Sequence, residues 1–260
     1  MQVDLSDRAF IVTGASKGIG AATARMLAGA GARVLLVARG REALAETARE
    51  CGGESLALDV TEEGAAERIV GECRERFGRL DGLVNNAGHA TITTPAAQSE
   101  REWAEMIAVH VTAPRRLMRA AAPAMAAAGW GRIVNVCSVN SRQPAQENVA
   151  YSVAKAAELS LSRAFADEFA RQGVLVNAVL PGDVDSAMWM GPGGVAETFA
   201  AAQGITPEEV VAMAGELYPI GRIGRVDEVA SVIVFLCSDL AANVAGVAWS
   251  VDGGYVRTAS

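Results

Sequence analysis

Short apolar runs alternate along the chain with longer stretches in which apolar residues recur every three or four positions. The runs lie at 9–12, 33–38, 55–58, 80–84 and 132–137. Such short runs between turn signals predict buried strands, and the amphipathic stretches predict helices. The helices are expected at 21–30, through Glu50, and at 62–77, 103–127, 151–171 and 225–236, with a last strand within 246–254.

This alternation predicts an α/β fold in which one doubly wound parallel sheet carries helices on both faces. The 260 residues fit a single domain spanning 1–260. A segment at about 186–218 interrupts the alternation and is predicted to be a substrate lid. Its large apolar residues are Met188, Trp189, Met190, Phe199, Ile205, Val211 and Met213.

The same segment constrains the substrate. Between Arg171 and Arg222 the chain has no lysine or arginine, so the lid is poorly suited to binding phosphate or carboxylate. We therefore expect a largely neutral substrate with apolar surface. The alternative is that these apolar residues form core or subunit contacts.

Composition excludes several classes of partner. The net charge is −7, the pI is near 5.0 and the basic residues are scattered, which excludes nucleic acid and membranes as main partners. The first eight residues include two acids and no apolar stretch, so a cytoplasmic protein is expected. The cysteines are far apart and unpaired in pattern, which predicts reduced thiols and no metal site: Cys51, Cys73, Cys137 and Cys237.

A glycine-rich turn follows the first apolar run. Gly14, Gly18 and Gly20 precede a helical pattern, an arrangement that allows a backbone to approach a pyrophosphate at a helix N-terminus. The bare spacing is a weak signal, but its position between strand and helix strengthens it.

A second chemical motif follows the run at 132–137, which delivers Ser138 to the carboxyl end of a strand. Tyr151 and Lys155 are four residues apart and share a helix face. A nearby ammonium favours the phenolate and should lower the tyrosine pKa toward the range useful for proton transfer. The Tyr-x-x-x-Lys spacing alone would favour a surface tyrosine and a solvated lysine on an ordinary helix.

Seven motifs together resemble the short-chain dehydrogenase/reductase family, including its 3-oxoacyl-carrier-protein reductases. They are Thr13-Gly-x-x-x-Gly-Ile-Gly20, Asp59-Val60, Asn85-Asn86-Ala87-Gly88, Ser138, Tyr151-x-x-x-Lys155, Asn177-Ala-Val-Leu-Pro181-Gly182 and Val251-Asp252-Gly253-Gly254. The resemblance implies a Rossmann fold and an NAD(P)-dependent oxidoreductase acting on a secondary alcohol or ketone. It also implies a homotetramer or homodimer, with contacts through helices 103–127 and 151–171.

The resemblance also implies roles for individual residues. Tyr151 would be the general acid/base, Ser138 would bind the substrate oxygen, and Lys155 would bind the nicotinamide ribose. The cofactor-binding residues would be Gly14, Ser16, Lys17, Gly18, Ile19, Gly20, Arg39, Asp59, Val60, Asn86, Ala87, Gly88, Tyr151, Lys155, Pro181, Gly182, Val184 and Ser186.

The end of the second strand bears on cofactor choice. An NAD enzyme usually has a carboxylate there for the ribose 2′-hydroxyl, but this chain has no acid between Val37 and Glu42. Lys17 and Arg39 could instead bind a 2′-phosphate, so NADP is the predicted cofactor, with NAD as the alternative.

One position departs from the family pattern. His110 stands where the family usually has an asparagine that holds a water linked to the catalytic lysine. Neutral imidazole can hold a water, and it titrates near pH 6.5, so a catalytic His110 predicts a pH dependence of turnover. The alternative is a satisfied interior histidine.

Other functions stay open at this point. They are an NAD-linked polyol, sugar or steroid dehydrogenase and a catalytically impaired dinucleotide-binding regulator. An acyl chain on a carrier protein is a further substrate, because a carrier could dock on surface arginines: Arg115, Arg116, Arg119 or Arg142.

Overall fold

Seven strands form one parallel sheet in the computed structural model, which describes residues 3–257. They are β1 (Ala9–Thr13), β2 (Arg33–Ala38), β3 (Glu54–Ala57), β4 (Gly82–Asn85), β5 (Gly131–Val136), β6 (Val174–Pro181) and β7 (Ala248–Val251). Their order is β3-β2-β1-β4-β5-β6-β7 and all pairings are parallel. The order reverses between β1 and β4, and the crevice at the carboxyl ends of strands beside such a reversal is where ligands bind in this architecture.

Ten α-helices connect and cover the strands in the described part of the chain. They are α1 (Gly18–Gly29), α2 (Arg41–Cys51), α3 (Ala65–Phe77), α4 (Glu100–Ile107), α5 (Ala113–Ala127), α6 (Val149–Phe169), α7 (Ala187–Met190), α8 (Val195–Gln203), α9 (Pro207–Glu216) and α10 (Val226–Leu236).

The predicted continuous helix 103–127 needs correction at both its start and its middle. Its first turn begins earlier, at Glu100, because Ser99 and Glu102 form a reciprocal capping box. A π-helical turn at Ala108–Thr112 then separates α4 from α5. Such turns widen a helix locally, and they occur frequently at functional sites.

The hydrophobic core lies on both faces of the sheet. Ile11 and Leu83 belong to the face covered by α3, α5 and α6, whereas Phe10 and Leu36 belong to the face covered by α1, α2 and α10. Successive strand residues point to opposite faces, so a strand buried on both sides is apolar throughout. This explains the uninterrupted apolar runs and confirms the doubly wound arrangement.

The segment 186–218 forms α7, α8 and α9 and has a small apolar cluster of its own. Ile205 and Val211 pack in that cluster against Ala196, Ala200 and Val210. Among the residues 3–257, no helix is both long and apolar enough to cross a membrane. The four cysteines are free thiols, as predicted.

Candidate active site

Tyr151 and Lys155 lie on the first turns of α6, and Ser138 follows the carboxyl end of β5. The Lys155 ammonium is buried and donates to the Val136 carbonyl at 2.7 Å and to Glu158 Oε2 at 2.7 Å. Its Nζ lies 5.8 Å from the centre of the Tyr151 ring. The helix therefore places an ammonium beside a phenol, as the four-residue spacing predicted.

Ser138 is held in place by the turn that it begins. Its backbone is extended, and its hydroxyl accepts a hydrogen bond from the Asn140 amide at 3.1 Å. A hydroxyl that accepts in this way still has its own hydrogen to donate. Ser138 can therefore donate a hydrogen bond to an oxygen in the cavity.

The acidity of Tyr151 corrects the sequence-based expectation. Burial raises the pKa of the Tyr151 phenol, and it outweighs the lowering effects of Lys155 and Ser138. The pKa of Lys155 is also raised: burial acts to lower it, but the neighbouring Glu158 and Tyr151 more than compensate. Spacing revealed the ammonium but could not reveal how far both groups would be removed from water.

His110 lies in the π-helical turn, next to Tyr151. Its Nε2 lies 2.8 Å from the carbonyl oxygen of His89, and a carbonyl only accepts, so Nε2 carries the proton. Nδ1 is therefore an acceptor, and it is buried with no partner among the described residues. Burial, and secondarily the charge of Lys155, hold the pKa of His110 well below 6.5. The titration near pH 6.5 expected from the sequence is thus displaced to lower pH.

The glycine-rich turn is joined to the carboxyl end of β4. Asn86 Nδ2 donates to the Thr13 carbonyl at 2.8 Å, and the Thr13 hydroxyl accepts from the Asn86 and Ala87 amides, each at 3.0 Å. A methyl group at Gly20 would lie 2.4 Å from Asn86 Nδ2, and one at Gly14 2.7 Å from it. Both glycines are thus required for close packing. Thr13 supports this packing, a role that its place in the motif did not predict.

The N-terminus of α1 lies at this same turn. Within residues 3–257 no side chain caps it, because Lys17 occupies the N-cap position without a side-chain hydrogen bond to the helix. Helix N-termini with free amides favour anions. Gly18 has φ +58°, and a methyl group added to it would lie 3.5 Å from Ser186 Cβ. The turn therefore offers both amides and space for a phosphate.

At the outer end of the crevice, Arg39 lies beside Asp59. Arg39 Nη1 is 4.0 Å from Asp59 Oδ2, and the arginine side chain is 75% exposed. Burial acts to raise the pKa of Asp59, but hydrogen bonds from Thr61 and the charge of Arg39 hold it below its usual value. The Val60 side chain is buried in the core, so the predicted contact with the cofactor would be made by its backbone.

A cavity of about 560 Å³ brings together much of the predicted site. Its lining includes the predicted residues Ile19, Asn86, Gly88, His110, Ser138, Tyr151, Lys155, Pro181, Gly182, Val184 and Ser186. The predicted residues outside that lining are Gly14, Ser16, Lys17, Gly18, Gly20, Arg39, Asp59, Val60 and Ala87, which lie toward the glycine turn and the ends of β2, β3 and β4.

The segment 186–218 forms one wall of the cavity. Met188, Trp189, Phe199 and Met213 line it, and Met190 lies outside the lining. Met188, Met190 and Met213 are all exposed. Asp183 ties this wall to the sheet, because its carboxylate accepts from Trp189 Nε1 at 2.9 Å and its amide donates to the Tyr218 hydroxyl at 2.8 Å. In the sequence, the only signal for Asp183 is its place after Pro181-Gly182.

The sequence of the chain matches a family of known proteins. Residues 14–256 match the family described as enoyl-(acyl carrier protein) reductase. The cis-4-hydroxycyclohexanecarboxylate dehydrogenase of Sinomonas cyclohexanicum is 39% identical over 256 residues, covering 96% of this chain and 97% of that protein. The 3-oxoacyl-[acyl-carrier-protein] reductase of Escherichia coli is 32% identical over 247 residues, covering 94% of this chain and 95% of that protein.

Solved structures agree. The crystal structure of L-sorbose reductase from Gluconobacter frateurii, complexed with NADPH and L-sorbose, matches with a TM-score of 0.93 and 32% identity, covering 99% of this chain and 100% of that one. With relatives this similar over nearly its whole length, the chain belongs to the short-chain dehydrogenase/reductase family and is an NAD(P)-dependent oxidoreductase acting on CH–OH groups.

Proposed function

We propose that this chain transfers a hydride between NADP(H) and the carbinol carbon of a largely neutral secondary alcohol or ketone, with Tyr151 as the acid/base. The observation that carries this proposal is the convergence of Ser138, Tyr151 and Lys155 on one cavity that is also lined by Ile19 and Pro181. A phenol, a hydroxyl and an ammonium at one apolar cavity suit proton transfer at an uncharged oxygen.

Each of the three residues has a distinct part. The Ser138 hydroxyl donates a hydrogen bond to the substrate oxygen and fixes its position. Tyr151 gives a proton to that oxygen during reduction and removes one during oxidation. Lys155 favours the phenolate electrostatically, which offsets part of the effect of burial on the Tyr151 pKa.

The residues present fit a nicotinamide dinucleotide. The close packing of Gly14 and Gly20 against Asn86 sets the shape of the turn, and the uncapped N-terminus of α1 suits a pyrophosphate. The bound cofactor would supply or accept the hydride. Arg39 is exposed after the end of β2 and Lys17 belongs to the glycine-rich turn, so both are available to bind a ribose 2′-phosphate, which supports NADP over NAD.

The cavity supports a largely neutral substrate. Lys155 is the one lysine or arginine among the described residues that line it, and Glu147 and Asp183 contribute carboxylates. An anionic substrate would therefore find no guanidinium there. The name of the Sinomonas relative specifies a carboxylate substrate, so substrate charge should distinguish that enzyme from this chain.

We also propose a cytoplasmic homotetramer, with a homodimer as the alternative. Large apolar side chains remain exposed on α4, α6 and the edge strand β7, namely Trp103, Val153 and Trp249. These elements include the helices expected to make subunit contacts. Light scattering after size-exclusion chromatography would measure the oligomeric state, and a monomer would contradict the proposal.

Two measurements test the catalytic proposal. Ketones and alcohols are screened with each cofactor by nicotinamide absorbance, including 4-hydroxycyclohexanecarboxylate and its neutral methyl ester. The ester should have the higher kcat/KM.

Tyr151→Phe should lower kcat by about 10² to 10⁴-fold, the usual contribution of general acid/base catalysis, while cofactor affinity is retained. Tyr255→Phe removes another phenol lining the cavity and should leave kcat nearly unchanged. Near-normal turnover of Tyr151→Phe would refute the mechanism.

A further inference from the structure

Glu158 lies three residues after Lys155 on α6, and its carboxylate is buried. The side chains of Lys155 and Glu158 are 5% and 2% exposed, and Nζ lies 2.7 Å from Oε2. A carboxylate is rarely buried this deeply unless it is paired, because removal from water is costly. The pair is therefore a component of the site rather than an ordinary surface contact along a helix.

The other groups that face Lys155 come from three elements. They are the Val136 carbonyl and the Cys137 thiol at the end of β5, Tyr151 on α6, and His110 from the π-helical turn. Burial raises the pKa of the Cys137 thiol well above 9 and lowers that of His110, so both are neutral. Among these described neighbours, Glu158 alone can supply a negative charge beside the ammonium while Tyr151 is protonated.

The hydrogen bonds of Lys155 also show that Glu158 holds its ammonium. An ammonium has three N–H donors, and here the Val136 carbonyl and Glu158 occupy two of them. One donor remains for the cavity. Two acceptors therefore fix the ammonium, and one of them, the Glu158 carboxylate, partly neutralises its charge.

We propose that Glu158 is a positioning residue for Lys155, and that its charge offsets the ammonium and adds to the effect of burial, so that Tyr151 stays protonated through the neutral range and acts primarily as a proton donor. This inference rests on the catalytic role proposed for Tyr151. It predicts that the enzyme is set for carbonyl reduction, in which the phenol gives its proton to the new alkoxide oxygen as the cofactor hydride reaches carbon.

The sign of the effect follows from the charges. Burial raises the pKa of Glu158, and Lys155 acts to lower it. An ionised Glu158 raises the pKa of Tyr151, whereas Lys155 lowers it. Removing the charge of Glu158 leaves the ammonium unopposed, so Tyr151 should lose its proton at lower pH. The alkaline limb of reduction and the rising limb of oxidation should then both move to lower pH, since both follow the same phenol.

Glu158→Gln tests the inference because glutamine keeps an acceptor for Lys155 and removes only the charge. The Tyr151 titration is measured by near-ultraviolet phenolate absorbance, as the difference between each protein and its Tyr151→Phe counterpart. We expect the midpoint to fall by about one pH unit relative to the parent. An unchanged or higher midpoint would overturn the proposal.

Controls separate charge from packing. Asp81 is another buried, ion-paired acid, but it lies at the amino end of β4, whereas the site lies at the carboxyl ends of the strands. Asp81→Asn should therefore leave the Tyr151 midpoint unchanged. Glu158→Asp keeps the charge and should restore most of the parent midpoint; failure of this rescue would also count against the proposal. The titration needs no turnover, so it stands apart from the activity test of Tyr151→Phe.

Discussion

The rings of His110 and Tyr151 are perpendicular, with an interplanar angle of 88° and centroids 5.1 Å apart. The His110 ring is fixed by its Nε2–H bond to the His89 carbonyl, which leaves the Nδ1 lone pair buried without a partner among the described residues. A buried acceptor of this kind is normally satisfied by a water or a ligand group. His110 can thus offer the acceptor that the family's asparagine usually supplies.

This geometry predicts a pH effect on turnover. If Nδ1 accepts a hydrogen bond in the proton relay, protonation of His110 removes that acceptor, and kcat should fall on the acid side. Because the pKa of His110 lies well below 6.5, this limb should lie well below neutral pH. His110→Asn should keep most of the activity and lack the limb.

The control for this prediction is the only other histidine of the chain. His89→Asn keeps the backbone carbonyl that holds His110, so the acid limb should persist. If His110→Ala has the parent kcat and the parent pH profile, His110 has no part in the relay.

The same pKa shift predicts a pH dependence of stability. The unfolded chain takes up a proton on His110 below about pH 6.5, whereas the folded chain resists this until lower pH. The free energy of unfolding should therefore decrease as pH falls from about 6.5 toward the folded pKa. Urea unfolding at neutral and mildly acid pH should show a smaller decrease for His110→Asn than for the parent. Equal decreases would contradict the buried neutral state of His110.

Gly20 should be intolerant of any side chain. In Gly20→Ala the added methyl group would lie 2.4 Å from both Asn86 Nδ2 and the Gly14 carbonyl oxygen. Overpacking of this kind costs about 1–3 kcal/mol, and it should also displace the turn and weaken cofactor binding. Thermal unfolding and cofactor titration measure the two effects.

Gly29 provides a matched control on the same helix. Nothing lies within 4 Å of a methyl group there, so Gly29→Ala should be neutral or stabilise by up to about 1 kcal/mol. Comparable losses in the two variants would show that helix α1 is sensitive to alanine in general rather than to contact at Gly20.

Much of the fold was predictable because buried parallel strands are apolar on both sides. The run 33–38 coincides with β2, and Ser138 follows β5 at the expected edge of the sheet. The glycine turn was predictable for a related reason, since Gly14 and Gly20 contact Asn86 so closely that no other residue type fits.

The features that could not be predicted depend on packing between distant segments. Pro114, in the first turn of α5, signals a helix interruption because proline lacks a backbone N–H, but the local sequence does not specify that the interruption is a π-helical turn. Lys155 and Glu158 have the spacing of an ordinary surface ion pair, and only the tertiary structure buries them. The direction of the Tyr151 pKa shift depends on that same burial and was therefore predicted wrongly from spacing alone.

Arg39 should determine the preference for NADPH. Its guanidinium is exposed and weakly held by Asp59 at 4.0 Å, so it is free to bind a 2′-phosphate. Arg39→Ala should raise the Kd for NADPH by about tenfold, the loss of one charge-assisted contact, and leave the Kd for NADH nearly unchanged. Fluorescence titration measures both constants.

Arg49 is the control for net charge, because it is exposed in the last turn of α2, whereas Arg39 precedes the first turn of that helix. Arg49→Ala removes one positive charge and should leave both constants unchanged. A parent enzyme that binds NADH more tightly than NADPH would refute the cofactor proposal regardless of the variants.

Trp189 should affect substrate binding more than cofactor binding. Its indole donates to Asp183, the residue that follows Pro181-Gly182 and also binds Tyr218, so Asp183 holds both ends of the wall formed by 186–218. Trp189→Phe keeps most of the apolar surface but removes this hydrogen bond, a loss of about 1 kcal/mol. The KM for the best substrate should rise about fivefold, with the Kd for NADPH unchanged. Trp103→Phe, on α4 outside the cavity, should alter neither constant. A Trp189→Phe variant that weakens NADPH binding as much as substrate binding would show that the wall instead supports the cofactor side of the site.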